Sequence, residues 1–301
     1  MQNNVQRDKE VAGYRRWVWR GIEMQLPADW EMLLFSRRLE DGSCTFADRY
    51  QYRMQVAWRV LEGEPDVART MQDYAGKIRH EYERENVETR EIAGWPGVGF
   101  MEKDGRRMFR FIRYFREPSI LLEVIFPAEE ADPAPKEHIL GNMVAGTDLS
   151  RWCGLGLNVK VPEGLRLSAC EARPGAASMR FVPAHAKDDS GDDEYYFVRL
   201  GMLKRWLKGT TRDWLRLQIP AGSEIEASGD IHEGGHDGAW LTGKLPRKSW
   251  LRALFSVPRR FAATAWICPG DGRLYMGMRK CRSAEVLLGA HRLKEKLLCC
   301  A

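Results

Sequence analysis

Between Phe46 and Trp58 apolar residues recur at every second position. Phe46, Tyr50, Tyr52, Met54, Val56 and Trp58 share one face, and Arg49, Gln51, Arg53, Gln55 and Arg59 continue the other. Period-two alternation of this length predicts a half-buried antiparallel strand. From Asp66 to Tyr82 the spacing becomes helical, with Val67, Met71, Tyr74, Ile78 and Tyr82 forming one stripe. Two further strands meet at Asp104–Gly105, a favoured two-residue hairpin turn. A strand over Ile120–Phe126 and a closing helix complete the unit. Asp48 falls on the apolar face between Phe46 and Tyr50. A buried carboxylate needs a partner, so an Arg of a neighbouring strand, or a place near the sheet end, is expected for it ahead of catalysis.

The same order of elements occurs twice. Shifted by 135 residues, Trp17–Phe46 lies on Trp152–Phe181 without a gap: Trp17 meets Trp152, Gly21 meets Gly156, Pro27 meets Pro162, Arg38 meets Arg173, Ser43 meets Ser178 and Phe46 meets Phe181. GIEMQLPADW and GLNVKVPEGL both alternate apolar and polar residues up to a proline, which cannot donate to a ladder and so ends a strand. Further anchors pair Ile125–Phe126–Pro127 with Ile267–Cys268–Pro269, and Ile139–Leu140–Gly141 with Leu287–Leu288–Gly289 as short helices. The second copy is expected to hold a strand near Tyr195–Leu200, a helix over Leu203–Leu217, a hairpin, a strand over Phe261–Cys268 and a last helix. Its acidic run Lys187–Glu194 reads as a solvated surface loop. The predicted class is α+β: two tandem copies of an antiparallel sheet packed with helices, over residues 1–148 and 149–301. Meander connections with few helices argue against a doubly wound nucleotide fold.

Length agrees with this division, since 301 residues are the size of two ordinary domains. The copies differ in charge. Residues 1–150 hold 22 Lys+Arg against 26 Asp+Glu, a net of −4; residues 151–301 hold 25 against 16, a net of +9. They therefore present different fields to solvent. The seven cysteines are scattered and never spaced C-x-x-C, which fits free thiols in a reducing compartment. The start MQNNVQRDKE has no apolar core of signal-peptide type, and no apolar run approaches a bilayer span. A cytoplasmic location is the expectation.

The order of strand, Pro-terminated strand, long antiparallel strand, amphipathic helix, meander and final helix resembles the Mog1/PsbP-like α/β/α sandwich. It is carried by IEMQLPADW (Ile22–Trp30), the Phe46–Trp58 strand, the helix ending near Tyr82 and IAGWPGVGF (Ile92–Phe100), and in the second copy by LNVKVPEGL. The resemblance implies a binding or scaffolding role, since that superfamily includes a photosystem subunit, a factor acting on a small nuclear GTPase and homodimeric chaperones for secreted bacterial effectors. A fused tandem would imitate such a homodimer in one chain. No functional residue carries over, and fold alone does not transfer function.

Candidate chemistry is sparse. No Walker A loop, G-x-G-x-x-G, G-x-S-x-G or metal-spaced cysteine cluster occurs, so no catalytic residue and no cofactor are assigned. His232-Glu233-Gly234-Gly235-His236 spells H-E-x-x-H, which on a helix sets two zinc ligands one turn apart with Glu as general base. Two central glycines oppose helix, at roughly 1 kcal/mol each relative to alanine. Gly234–Gly235 also aligns with the Asp104–Gly105 hairpin. His232 and His236 then sit across a β-turn at a solvent-exposed tip, and a metal-dependent hydrolase is the alternative reading.

Basic, Trp-rich stretches mark the second copy, with Lys204, Arg205, Trp206, Lys208, Arg247, Lys248, Arg259 and Arg260 as candidate binding residues. Such interleaving suits an acidic protein partner, and alternatively nucleic acid or anionic lipid. The plainer reading makes Leu203, Trp206, Leu207, Trp214 and Leu217 the core stripe of a helix with solvated cations. A non-enzymatic binding or scaffold protein, recognising a protein partner through a tandem pseudo-dimer, is the function expected from these features together.

Overall fold

The computed structural model describes residues 13–36, 38, 40–82, 87–101, 105–127, 134–146, 148–185, 193–246, 258–283 and 290–299. The chain divides into two compact units, Met1–Leu149 and Ser150–Ala301. Each is mainly antiparallel sheet with few helices, an α+β arrangement.

In the first unit β1 (Tyr14–Trp19) and β2 (Ile22–Pro27) form a hairpin, turned at Arg20–Gly21 with both φ positive, at 56° and 73°. There follow β3 (Glu31–Phe35), β4 (Asp41–Ala47), β5 (Tyr52–Val60), α1 (Val67–Tyr82), β6 (Glu88–Ile92), β7 (Trp95–Met101), β8 (Arg107–Phe115), β9 (Ile120–Pro127), α2 (Ala134–Gly141) and β10 (Val144–Ala145). Seven strands make one sheet in the order β3-β4-β5-β9-β8-β7-β6, every pair antiparallel. Strand alternation gives this sheet two buried faces. Met71, Ala75 and Ile78 of α1 pack on Val98, Phe100, Met108 and Ile112. The other face buries Phe46, Met54, Val56, Phe111, Leu122 and Phe126. There the Trp95 indole donates to the Leu140 carbonyl of α2 at 3.0 Å.

The second unit contains β11 (Arg151–Gly154), β12 (Leu157–Lys160), β13 (Leu165–Arg173), β14 (Ala176–Pro183), β15 (Glu194–Leu200), α3 (Leu203–Trp206), α4 (Thr211–Gln218), β16 (Glu224–Glu233), β17 (His236–Lys244), β18 (Arg260–Ile267), β19 (Leu274–Cys281) and a 3-10 helix (His291–Lys296). Its sheet runs β13-β14-β15-β19-β18-β17-β16. Strand for strand this is the order of the first sheet, with helix inserted at the same place, after the third strand. Trp17 meets Phe46 edge to face at 5.4 Å in the first unit, and Trp152 meets Phe181 at 5.3 Å in the second. These are two of the residue pairs matched at the constant offset of 135.

Several expectations need correction. The alternating run over Phe46–Trp58 is two strands, because Asp48 turns the chain. Its carboxylate accepts from the Tyr50 and Gln51 backbone N–H groups (2.7 and 2.8 Å) and from Arg53 Nε (2.6 Å) of the next strand. Burial opposes that charge, yet the backbone donors and the Arg53 guanidinium hold the Asp48 carboxyl below the usual carboxylate range. Tyr50, expected on the apolar face, lies on the turn and is exposed.

The helix expected over Leu203–Leu217 is broken into α3 and α4. Gly209, at φ +89°, leaves helical space, and Thr210 restarts the chain as an N-cap with a complete capping box to Asp213. The phase changes across the break, so Leu215 is buried and Leu217 is 81% exposed. Replacing Thr210 by Ala is expected to cost about 1 kcal/mol and to speed amide exchange in α4. Unchanged exchange there would remove the cap from the account.

Glu194 is not loop. It opens β15 and is buried, its carboxylate accepting from Arg180 and Lys280, both at 2.9 Å. The repeat anchors beyond Phe181 also shift. By strand order β19, not the Ile267–Pro269 segment, is the counterpart of β9, and the Gly234–Gly235 turn corresponds to Ala93–Gly94 between β6 and β7. Asp104 and Leu287–Gly289 lie outside the described residues.

Candidate functional site

The hairpin of β16 and β17 organises the chemistry of the second unit. Its register pairs Glu233 with His236 and His232 with Asp237, leaving Gly234–Gly235 as a two-residue turn. Both glycines have positive φ, 61° and 75°, the type I′ geometry that glycine meets without strain. Paired residues project to the same side of a sheet and successive ones to opposite sides. His232 and His236 are therefore on opposite faces. As a ligand pair with H-E-x-x-H geometry they are excluded, because that chemistry needs one helix face and this backbone is a hairpin.

On one face His232 is exposed, its Nδ1 3.2 Å from Asp237 Oδ1, and Arg212 of α4 pairs with Asp230. These groups line an open cavity of about 700 Å³ together with Thr210, Asp213 and Arg216. The Thr210 hydroxyl and backbone N–H hold the Asp213 carboxyl below its ordinary range. The cavity joins cations and carboxylates already paired with each other.

On the opposite face His236 is 9% exposed, so it does not share a solvent-exposed tip with His232. Its Nε2 is 3.1 Å from Cys299 Sγ, and its Nδ1 is 3.2 Å from the Glu233 carbonyl oxygen. Cys268, 1% exposed, follows the end of β18. One ligand atom each from His236, Cys268 and Cys299 lie within 4.8 Å of one another. The Trp266 indole N–H donates to Cys299 Sγ at 3.2 Å. Cys299 is placed there by the segment after the 3-10 helix: Leu297 bridges to Val159, and the Leu298 N–H donates to the Asn158 carbonyl of β12 at 2.8 Å. Sequence reading missed this grouping because its three residues come from three distant segments. Only the absence of any C-x-x-C spacing was visible.

The basic candidates separate into two groups. Arg260 is half-buried and donates to Glu226 at 2.9 Å; Arg259, next to it, is also half-buried. Lys244 pairs with Glu226 (2.8 Å), Lys280 with Glu194 (2.9 Å), and Arg279 with Asp193 (3.0 Å). Arg247 and Lys248 lie outside the described residues. Trp206 packs inward: its indole donates to the Gly201 carbonyl at 2.8 Å and its ring lies 6.0 Å from that of Trp214. Lys204, Arg205 and Lys208 are exposed, and their side chains make no ion pair among the described residues. Met202 at the start of α3 (53% exposed) and Leu217 on α4 (81% exposed) are exposed apolar side chains of the two helices.

No helix among the described residues is long and apolar enough to cross a membrane. The chain matches no protein-family model and no curated protein. Among solved structures it is similar to the T6SS immunity protein TplEi of Pseudomonas aeruginosa complexed with "L" peptide, at 9% identity over 95% of this chain and 97% of that one, with a TM-score of 0.40. The apo structure of TplEi gives 10% identity, 95% and 96% coverage and a TM-score of 0.39. A crystal structure from Bacteroides thetaiotaomicron gives 15% identity over 52% of this chain, with a TM-score of 0.30. The chain spans about half the length of that Bacteroides protein, 53%.

Proposed function

We propose that the chain is a non-enzymatic, scaffold- or chaperone-like protein of the cytoplasm. In this reading two Mog1/PsbP-like α/β/α units arose by duplication, and the pair docks an acidic protein partner through α3 and α4 of the second unit. The carrying observation is the contrast between cations. Arg260, Lys244, Lys280 and Arg279 are held in internal ion pairs, whereas Lys204, Arg205 and Lys208 stand exposed and unpaired among the described residues. Cations without internal partners keep their full field for an incoming acidic surface, and Met202 and Leu217 supply the apolar contact that makes docking outlast encounter. The shared strand order and the repeated Trp–Phe contact support duplication.

The test is capture from the native host with the full chain, against a K204E/R205E/K208E variant and a Leu217→Asp variant. A partner held by the native chain should bind the triple variant at least about tenfold more weakly, a difference of about 1.4 kcal/mol. It should also be released by salt, since exposed charges are screened. Capture of the same partner equally well by the triple variant sinks the assignment. So does steeply salt-dependent retardation of nucleic acid by the native chain without a protein partner.

A further inference from the structure

We propose that His236, Cys268 and Cys299 form a binding site for a soft divalent metal, zinc by preference, at one end of the second sheet. The inference is independent of the partner-docking reading, and it concerns the sheet face opposite His232.

Imidazole with two thiolates is a ligand set that selects zinc over the hard cations magnesium and calcium. Zn–S distances of about 2.3 Å and Zn–N distances of about 2.0 Å put tetrahedral donors roughly 3.5–3.8 Å apart. Here His236 Nε2 and Cys299 Sγ are 3.1 Å apart, and all three ligand atoms fall within 4.8 Å. Small side-chain rotations bring such a group to coordination distance. Two of the three ligands are buried, which removes the usual objection that exposed polar clusters occur everywhere.

The surroundings of the ligands fit a metal as well. A metal-binding histidine characteristically donates its other ring N–H to a carbonyl or carboxylate, which fixes the tautomer. His236 Nδ1 has that partner in the Glu233 carbonyl at 3.2 Å, leaving Nε2 to face Cys299 Sγ. The Trp266 N–H is directed at Cys299 Sγ at 3.2 Å, an outer hydrogen bond of the kind that orients a ligand sulfur. Trp266 is itself held between strands and stacks on Tyr275, with ring centroids 6.1 Å apart.

Charge balances at such a site. Each cysteine loses its thiol proton to solvent as the metal binds, and histidine binds neutral. One divalent ion with two thiolates and one imidazole is a neutral assembly, the form that burial penalises least. Three protein ligands leave a fourth position for water. Bound metal would tie the C-terminal segment to β17 and to the end of β18, adding to the contacts by which Thr264 donates to the Ala290 carbonyl and Lys294 to the Glu233 carbonyl.

The experiment uses the full chain, reduced, stripped with chelator and then titrated with zinc or cobalt(II). Expected are about one equivalent of zinc per chain, thiolate-to-cobalt charge-transfer absorption and a higher unfolding midpoint. Cys299→Ser and His236→Gln should each lose most of the bound metal while keeping the far-ultraviolet circular dichroism of the native chain. His232→Ala should bind normally. Cysteine alkylation of the unmutated chain gives a reading that does not depend on any variant folding. Zinc should slow modification of Cys299, assigned by its own fragment ions, at least about tenfold relative to chelator, with half-buried Cys170 as reference. Less than about 0.1 equivalent of zinc, equal alkylation with zinc and chelator, or loss of metal in His232→Ala alone each overturns the site.

Discussion

Phe46→Ala and Phe181→Ala should each destabilise their own unit by about 4 kcal/mol, the range for removing a fully buried aromatic ring. Both rings are completely buried. Each lies on the second strand of its sheet and packs against a tryptophan of the hairpin that opens its unit, Trp17 at 5.4 Å or Trp152 at 5.3 Å. The loss has two parts: the transfer free energy of the ring and the cavity it leaves under a rigid indole. A double-mutant cycle with Trp17→Ala or Trp152→Ala should return a coupling of about 1 kcal/mol in each unit, beyond area burial. Hydrogen exchange resolved along the chain is the fitting measurement, since a single unfolding midpoint is ill-defined for two units. Exchange should rise first in 13–127 for Phe46→Ala and in 150–299 for Phe181→Ala. Additive single-site effects, or equal protection in the mutated sheet, would show that the two contacts are incidental and not the matched pillars of a repeat.

Those pillars are legible in the sequence because β1 to β4 and β11 to β14 follow one another without insertion, so a constant offset superposes them. Beyond Phe181 the strand order depends on pairing between distant segments, which a local triplet such as Ile-Cys-Pro does not encode. Ile267–Pro269 imitates Ile125–Pro127 in composition, yet β9 and β19 occupy the equivalent central position, the fourth in each sheet and directly paired with β5 and β15. A different failure explains Phe46–Trp58. Across the turn at Asp48–Gln51 a register shift returns Met54 to the face of Phe46 but sets Tyr52 on the opposite face, against the α1 cluster, so the even spacing of the letters runs on while the chain reverses and the faces change. The Asx-type turn signal of Asp48 was present and weaker than the pattern around it.

The break between α3 and α4 was also written locally, as Gly209 followed by Thr210-x-x-Asp213. It is masked because Leu203, Trp206, Leu207 and Trp214 all face one core on either side of the break. For the site the balance reverses. The Gly-Gly turn that separates His232 from His236 follows from the residues alone. The meeting of His236 with Cys268 and Cys299 follows only from register, since three segments far apart in sequence must first be laid side by side.

Glu194→Gln should cost the second unit about 2 kcal/mol at neutral pH, and the cost should shrink as the solution becomes acidic. The Glu194 side chain is 7% exposed between Arg180 and Lys280, which are 31% and 22% exposed. Removing a buried charge from a pair strands its partners, but two partly exposed cations regain some hydration, so the loss stays below the value for a fully buried pair. Burial alone would raise the Glu194 pKa; the Lys280 and Arg180 contacts outweigh it and hold the carboxyl below the ordinary glutamate value. A depressed folded-state pKa means stability fully present above the unfolded value, about 4.3, and lost as pH falls through the folded one. Urea midpoints from pH 7 down to pH 3 should therefore converge for the native and Glu194→Gln chains only below about pH 4.3. Glu194 opens β15 at the end of the strand away from α3, so what its ion pairs tie together is β15 with its two neighbours β14 and β19. A pH-independent difference would mean that the glutamine loses packing rather than charge, and that the ion pairs do not hold β15 to β14 and β19.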